Sequence, residues 1–411
     1  MRSYLWVVPV LAAVALFFSA RAMLEALPEA HIDLEVYRFG VQAWWEGRDM
    51  YGELPAVVGG THLPFIYPPF AVLILSPLAI LPWDAAVVTL FVVNFLCLAA
   101  TLYVVARRVW PAGGRGGAIV LGSAGLPIAC LLEPVSQTFE FGQISLILMA
   151  LIAVDCLAGR TWWPRGLGVG LAAAIKLFPA AFVLFFLARR DYRSALTAAI
   201  TWFVATAIGF VTGASDSIRY WFGGFAGASG VSGTAFRTNQ AIDAVLTRTG
   251  MPEGLSKVLW ILLVAALLVV VAIAIRRGEP AAALLANAGF TLLASPTSWS
   301  HYWVWVVPTM LVTAVQAVRR WREGSRAAWG WLVATLGAAV LFYLAPFREL
   351  PQTTFPEVQL DWTPEQQLLG ASYVLGGLVL LLAYAIPKLR TKPEPGPLPE
   401  LGPPKLDAAS Q

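Results

Sequence analysis

Residues 4–52 read YLWVVPVLAAVALFFSARAMLEALPEAHIDLEVYRFGVQAWWEGRDMYG. Tyr4–Leu24 is an apolar run carrying one charge, Arg21. That is the length of a bilayer crossing, which takes about 20 largely apolar residues. The stretch that follows, His31–Gly52, is abruptly polar and places Asp33 and Glu35 beside the end of the span. Its pattern predicts a short amphipathic helix that closes at Gly47 and turns at Asp49–Gly52. At helical spacing Asp33, Val36, Tyr37 and Gly40 share one face, whereas Glu35 points elsewhere, toward solvent. An acid at the mouth of a membrane span is costly and is a functional candidate. Two compatible readings of Asp33 follow. It can N-cap a helix over Leu34–Trp45. It can also face a low-dielectric cavity, where its pKa would rise and suit it as a general base toward a hydroxyl.

The rest of the composition agrees with a membrane. Of 411 residues, 58% are hydrophobic and 13% charged, with mean hydropathy +0.71. Soluble domains carry about 25% charged residues. Spans of this kind must be helical, because backbone polar groups cannot be left open in lipid. The residue alternation of a transmembrane β-barrel is absent. Met1–Ala20 resembles a signal peptide, but its apolar run is long for one, so it reads as an uncleaved first span. The net charge of +4 does not indicate a nucleic-acid partner. Its arginines sit in clusters at segment ends, as the positive-inside rule expects. Cys97, Cys130 and Cys156 all lie in apolar segments and read as small buried residues, with no disulfide framework and no metal site.

The apolar segments fall at about 5–24, 66–82, 84–106, 118–133, 143–158, 166–187, 194–212, 257–276, 281–295, 300–318, 328–346 and 366–387. The expected fold is all-α and polytopic, with residues 1–387 forming one transmembrane domain. The tail 388–411, rich in Pro and charge, is expected to be disordered and cytoplasmic. The clusters Arg189-Arg190, Arg276-Arg277 and Arg319-Arg320 mark the cytoplasmic side. Loops 25–65, 213–256, 296–300 and 347–365 then lie outside. If all twelve segments cross, Arg107, Arg108, Arg160 and Arg165 fall on the outer side. If 66–82 and the segment containing Lys176-Leu-Phe-Pro179 are re-entrant, ten cross and these arginines come inside.

Several constellations could carry chemistry. Tyr67-Pro68-Pro69 is a rigid entry to a segment, and Tyr67 could face a substrate. Glu133–Gln143 sets two acids and an amide around Gly142; Glu140 reads as loop, and Gln143 could hydrogen-bond a polar ligand. Lys176 lies in an apolar run and must snorkel, pair, or meet a polar cavity; a phosphate or a site carboxylate would satisfy it. The glycine- and serine-rich loop 213–257 reads as a mobile lid, and Arg237, Asn239 and Gln240 within it offer donors for phosphate or hydroxyls. Ser295-Pro-Thr-Ser-Trp-Ser-His301 is a proline-broken turn ending in a histidine at the start of a span. No P-loop, dinucleotide fingerprint, zinc spacing or Gly-x-Ser-x-Gly elbow is present.

In this order and spacing, Asp33-Leu-Glu-Val-Tyr37, Tyr67-Pro-Pro69, Phe141-Gly-Gln143, Lys176-Leu-Phe-Pro179, Asn239-Gln240 and Ser295–His301 resemble glycosyltransferase family 87, polyprenol-phosphate-dependent transferases with a GT-C membrane fold. The resemblance implies a multi-pass enzyme of the bacterial plasma membrane with its site facing the exterior. It implies a polyprenyl-phosphate mannose donor as co-substrate, no cofactor, and a glycolipid or polysaccharide acceptor. It implies inversion at the anomeric carbon, with Asp33 as general base and His301 in the site. Ser300 departs from the acidic or amide residue expected before that histidine. Charge adds Lys176 and Arg237 as contacts for the leaving phosphate. The alternatives are an arabinofuranosyltransferase of the same family and, in a different class, a lipid-linked sugar flippase, which midspan Lys176 would suit. A flippase would need a midplane site between repeats, and no repeat is visible.

Overall fold

The computed structural model describes residues 7–26, 31–223, 235–351 and 362–389. The regular elements among them are helices; the β-type pairings are two isolated bridges, Ala56 with His62 and Asn239 with Trp299. The expected tail from Lys388 and the middle of the 213–257 loop lie largely outside the described residues.

The chain begins with α1 (Val7–Ala26) and the amphipathic α2 (Ile32–Trp45), followed by α3 (Pro69–Ile80), α4 (Trp83–Val109) and α5 (Gly114–Cys130). The short α6 (Glu133–Glu140) leads to α7 (Ser145–Leu157) and α8 (Leu167–Ile175). Then come α9 (Val183–Ala188), α10 (Tyr192–Thr212), α11 (Ala214–Phe222) and α12 (Ile242–Arg248). The last part comprises α13 (Glu253–Arg277), α14 (Pro280–Ala294), α15 (Val306–Arg322), α16 (Ala327–Leu344), α17 (Pro364–Gly370) and α18 (Ser372–Leu389).

Each of the twelve apolar segments falls on a helix or a helix pair, but their lengths differ. Among the described residues, six helical stretches are long and apolar enough to cross a bilayer: α1, α4, α10, α13, Ser300–Arg322 and Ala327–Glu349. Two bent pairs, α5 with α6 at 70° and α17 with α18 at 62°, bring the number to eight if each is one span. The remaining apolar helices, such as Pro69–Ile80 and Ser145–Leu157, are shorter. Leu96, Phe203, Val211, Leu262 and Val333 on the long helices are exposed. So broad an apolar exterior belongs in lipid.

Helix ends gather by charge. The Arg108 guanidinium donates to the Leu157 carbonyl closing α7, and Arg165 donates to the carbonyls of Asp155, Cys156 and Ala158. Arg189 donates to Ile275 and Gly278 at the end of α13, both at 3.0 Å, and Arg319 to Val109 at the end of α4. Arginine at a helix C-terminus satisfies orphan carbonyls and complements the dipole. All four therefore sit at one end of the bundle. Segment 166–187 accordingly starts and finishes at that basic end, beside Arg165 and Arg189. Segment 66–82 starts and finishes at the opposite end against α2: Tyr67 meets Tyr37, and the Leu78 and Leu81 carbonyls both accept from Arg38.

The start of α2 is moored on the turn between α6 and α7. Asp33 N and Leu34 N both donate to the Phe141 carbonyl, at 2.9 and 3.3 Å, and His31 Nδ1 donates to the Glu140 carbonyl at 2.8 Å. Gly142 makes this approach possible: its φ is +67°, and a Cβ there would lie 2.8 Å from Leu34 Cβ and 3.2 Å from His31 Cβ. Gly142→Ala is expected to cost about 1–3 kcal/mol, seen as a drop of several degrees in the detergent-solubilised unfolding temperature; an unchanged midpoint would contradict this account of the turn.

Candidate active site

Asp33 sits in the first turn of α2. The helix begins one residue earlier than expected: His31 is its N-cap, and no side chain caps it. The capping reading of Asp33 is therefore overturned, because its own backbone N–H is already inside the helix and bonded to Phe141. The side chain is instead free to serve the cavity side. The shared face holds as expected, with Val36, Tyr37 and Gly40 buried. Glu35 Oε2 accepts from Val58 N at 2.8 Å, so this acid anchors the 52–66 loop in addition to meeting solvent.

A chain of hydrogen bonds runs away from Asp33. The Gln143 amide lies alongside its carboxyl and favours the ionised form. Gln143 Oε1 accepts from Tyr37 OH at 3.0 Å, and the Tyr37 and Tyr67 hydroxyls are 3.1 Å apart. Lys176 Nζ donates to Tyr67 OH at 3.4 Å. Tyr37 gives its one proton to Gln143, so Tyr67 donates to Tyr37 and accepts from Lys176.

Lys176 reaches this position because α8 stops. Its backbone is extended (φ −147°, ψ 129°), and Pro179 opens the next 3-10 turn, Phe178–Phe182. Proline cannot supply the N–H that would continue the helix. The ammonium is buried and lies 4.0 Å from the centroid of the Tyr302 ring and 5.1 Å from that of Tyr67. Facing π-clouds stabilise a cation. Phe178 stacks on Tyr302, with ring centroids 5.3 Å apart.

His301 follows in the 3-10 turn Ser300–Trp305. It is buried, its ring meets Phe141 at 5.6 Å and Tyr302 at 4.8 Å, and Lys176 is near enough to act on it electrostatically. Its Nε2 is buried with no partner in the described residues. Such an orphan is expensive unless a ligand supplies the missing bond.

The fold thus brings together five of the expected residues: Asp33, Tyr67, Gln143, Lys176 and His301. It does not bring Arg237, Asn239 or Gln240 into the cluster. The Arg237 guanidinium donates to the carbonyls of Arg348 and Leu350. Asn239 Oδ1 accepts from Ser298 N at 2.9 Å, and Gln240 Nε2 donates to Gly370 O at 2.8 Å. These side chains brace loops by bonding to backbone, where direct sugar or phosphate contact was expected. Tyr37 and Tyr302 complete the site; both flank the expected residues in sequence, but neither was assigned a role. Asn94, whose Nδ2 holds the Gln143 carbonyl at 2.9 Å, was also missed. A lone Asn in the apolar run 84–106 was its readable signal. Among the described residues no group of three or more His, Cys, Asp or Glu side chains could hold a metal ion.

Burial pushes the Asp33 carboxyl up to about 6, against the opposing pull of Gln143 and then of Lys176. A carboxyl poised there exchanges protons near neutrality, as a general base must. Fold and site together define a polytopic helical membrane protein with a carboxylate–lysine centre suited to group transfer.

Comparison with known proteins makes the family definite. Residues 65–296 match the model of glycosyltransferase family 87, a stretch that begins after Asp33 and stops before His301. The chain is 36% identical to the polyprenol-phosphate-mannose-dependent alpha-(1-2)-phosphatidylinositol mannoside mannosyltransferase of Mycolicibacterium smegmatis, over 86% of this chain and 83% of that one. It is 37% identical to the like-named protein of Mycobacterium tuberculosis, over 94% and 91%. It is 23% identical to the alpha-(1->3)-arabinofuranosyltransferase of Corynebacterium glutamicum, over 74% and 79%. No solved structure matches. The chain belongs to glycosyltransferase family 87 and is a membrane glycosyltransferase.

Because the folded Asp33 holds its proton up to about pH 6 and an unfolded one only to about 3.9, the native state loses stability as pH rises between those values. Asp33→Asn is therefore expected to raise the unfolding temperature at pH 7.5, with the gain vanishing near pH 4. In difference infrared spectra the wild-type carboxyl should titrate near pH 6, and Lys176→Met should move that midpoint upward. A midpoint near 4, or one indifferent to Lys176, would refute the proximity argued here.

Proposed function

We propose that the enzyme transfers a mannosyl group from polyprenyl-phosphate mannose to a hydroxyl of a phosphatidylinositol mannoside, forming an alpha-(1-2) linkage. The observation that carries this is the hydrogen-bonded chain joining Asp33 to Lys176 through Gln143, Tyr37 and Tyr67. It sets a base and a cation at the two ends of one small site, as displacement of a phosphate by a hydroxyl requires. The substrate assignment is supported by the two mannosyltransferases at 36% and 37% identity over most of the chain. The arabinofuranosyl alternative has a relative at 23%.

The acceptor oxygen attacks the anomeric carbon from the face opposite the phosphate. Asp33 takes the hydroxyl proton as the new carbon–oxygen bond forms. The bond from that carbon to the phosphate oxygen breaks, its electron pair stays on the phosphate, and Lys176 steadies the departing charge. One displacement inverts the centre, so a β-linked donor yields an α-mannoside and no second carboxylate is needed. Lys176 lies between two aromatic rings and opposite Asp33, so it exchanges one anion for another as the phosphate arrives. His301, with its unpaired Nε2, hydrogen-bonds the sugar or the acceptor. Tyr67 and Gln143 relay between base and cation, and Arg237, Asn239 and Gln240 act by holding the loops that border the site.

In the membrane, this reading takes the fold as GT-C type with ten crossings, segments 66–82 and 166–187 being re-entrant, because the first begins and ends beside α2 and the second beside the arginines. The basic end is cytoplasmic by the positive-inside rule, which puts Asp33 and His301 at the exterior face. Residues 1–387 form the catalytic domain and 388–411 a cytoplasmic tail.

The test is transfer from a synthetic short-chain polyprenyl-phosphate mannose to phosphatidylinositol mannoside in detergent. Wild type should form labelled product with an acidic limb in kcat/KM near pH 6. Asp33→Asn at equal expression and folding should lose about 10²–10⁴-fold in kcat. Transfer that survives Asp33→Asn would remove the base assignment. Transfer only from a polyprenyl-phosphate arabinose would replace mannose by the pentose.

A further inference from the structure

The catalytic cluster leaves one buried acid unused. Glu133 is 4% exposed and opens α6 at the 70° bend from α5. Its Oε2 accepts from Tyr373 OH at 2.9 Å, and Tyr373 is 0% exposed. Tyr373 is the second residue of α18, directly after the 62° bend from α17. One hydrogen bond, spanning 240 positions of sequence, thus joins these two helix bends.

The same acid lies beside the His301 turn. The Ser300 side chain interacts with the Glu133 carboxyl. One turn further along α6, Thr138 Oγ1 donates to the His301 carbonyl at 3.4 Å. From the other side, Tyr373 N donates to Gln240 Oε1 at 3.2 Å. Gln240 N donates to Ser298 O at 2.7 Å, and Ser300 N donates to Thr238 O at 2.9 Å. The backbone around Ser300 is therefore held by Gln240, Thr238 and Thr138, while the Ser300 side chain meets the Glu133 carboxyl that Tyr373 fixes. The His301 ring has no such support, since its ring contacts are the aromatic faces of Phe141 and Tyr302 and its Nε2 is unpartnered. A catalytic imidazole is ordinarily aimed by a hydrogen bond to its second nitrogen. Here the backbone must do that work.

We propose that the Glu133–Tyr373 pair positions His301 for transfer, acting through Ser300 and the Ser295–Ser300 turn. The pair touches no substrate; it locks the two bends to each other and so fixes the angle at which the histidine enters the site. Glu133 Oε1 remains buried without a partner, a cost that an apolar pair of the same size would avoid. The polar pair gains direction in exchange, because a hydrogen bond constrains angle where apolar packing does not. The proposal rests on His301 acting in the reaction described above.

A double-mutant cycle on the full-length enzyme tests it. Tyr373→Phe removes one oxygen and keeps the ring. It is expected to lower kcat about tenfold, the worth of about 1.4 kcal/mol, with the donor KM close to wild type and the unfolding temperature lowered by the Glu133 oxygen left without its donor. Glu133→Gln keeps an acceptor oxygen for Tyr373 and should retain most activity, whereas Glu133→Leu should match Tyr373→Phe. In a His301→Ala background, Tyr373→Phe should cost nothing more, because effects that pass through one residue are not additive. A readout free of activity is the carbethoxylation rate of His301 by mass spectrometry, which Tyr373→Phe should change at least severalfold. Equal tenfold losses in both backgrounds, or an unchanged modification rate, would overturn the positioning role while leaving His301 in the reaction. A fully active His301→Ala would remove both. Were the wild type inactive with the mannose donor, the modification rate alone would decide the positioning claim.

Discussion

The site depends on one docking contact: the first turn of α2 against the carbonyl of Phe141. Two backbone N–H groups, those of Asp33 and Leu34, converge on that single oxygen. The N-terminal N–H groups of a helix have no partner within it and must find one elsewhere. Taking it from the α6–α7 turn brings Asp33 next to Gln143, two residues beyond Phe141, and Gln143 in turn is held by Asn94 from α4. The relay to Lys176 follows from that placement. Were α2 capped by its own Asp33, the carboxylate would be committed to backbone and lost to chemistry.

The second constraint is the interruption of helices around the site. α8 ends at Lys176, α5 gives way to α6 at a bend, and α17 gives way to α18 at another. Interrupted helices in a membrane expose backbone that must be satisfied by protein. At the α17–α18 bend the satisfying groups are Gln240, which donates to the Gly370 carbonyl and accepts from Tyr373 N, and Arg248, which donates to the same carbonyl. Arg248 is fully buried, and its guanidinium donates to the carbonyls of Phe236, Asn239 and Gly370. The polar residues of the 236–248 region therefore serve the architecture around the site. Donor side chains of this kind look alike in sequence whether they meet phosphate or carbonyl, which is why Arg237, Asn239 and Gln240 were expected at the ligand.

Much was legible from residue order alone. Apolar length located the apolar helices, of which six to eight among the described residues are long enough to span, and helical spacing told Asp33 from Glu35. The cost of an unpaired lysine in an apolar run singled out Lys176, and the order of short motifs pointed to the family. These inferences rest on properties local to a few residues: transfer free energy, the period of a helix, the rigidity of proline. They hold in any fold that buries the segment.

Tertiary structure alone decided the partnerships. Tyr37 and Tyr67 are 30 positions apart, and Tyr67 and Lys176 are 109 apart; nothing in the local pattern of either marks them as bonded. It likewise decided that segments 66–82 and 166–187 each return to the end of the bundle they started from, although hydropathy alone admitted a crossing for both. The physical reason is common to all these cases. Hydropathy is a sum over a window, whereas a hydrogen bond or a bend depends on where distant atoms sit to within an ångström. Sequence by itself determined that this chain lives in a membrane and sets an acid, Asp33, just after its first apolar run. Only packing decided which cation and which amide that acid would meet.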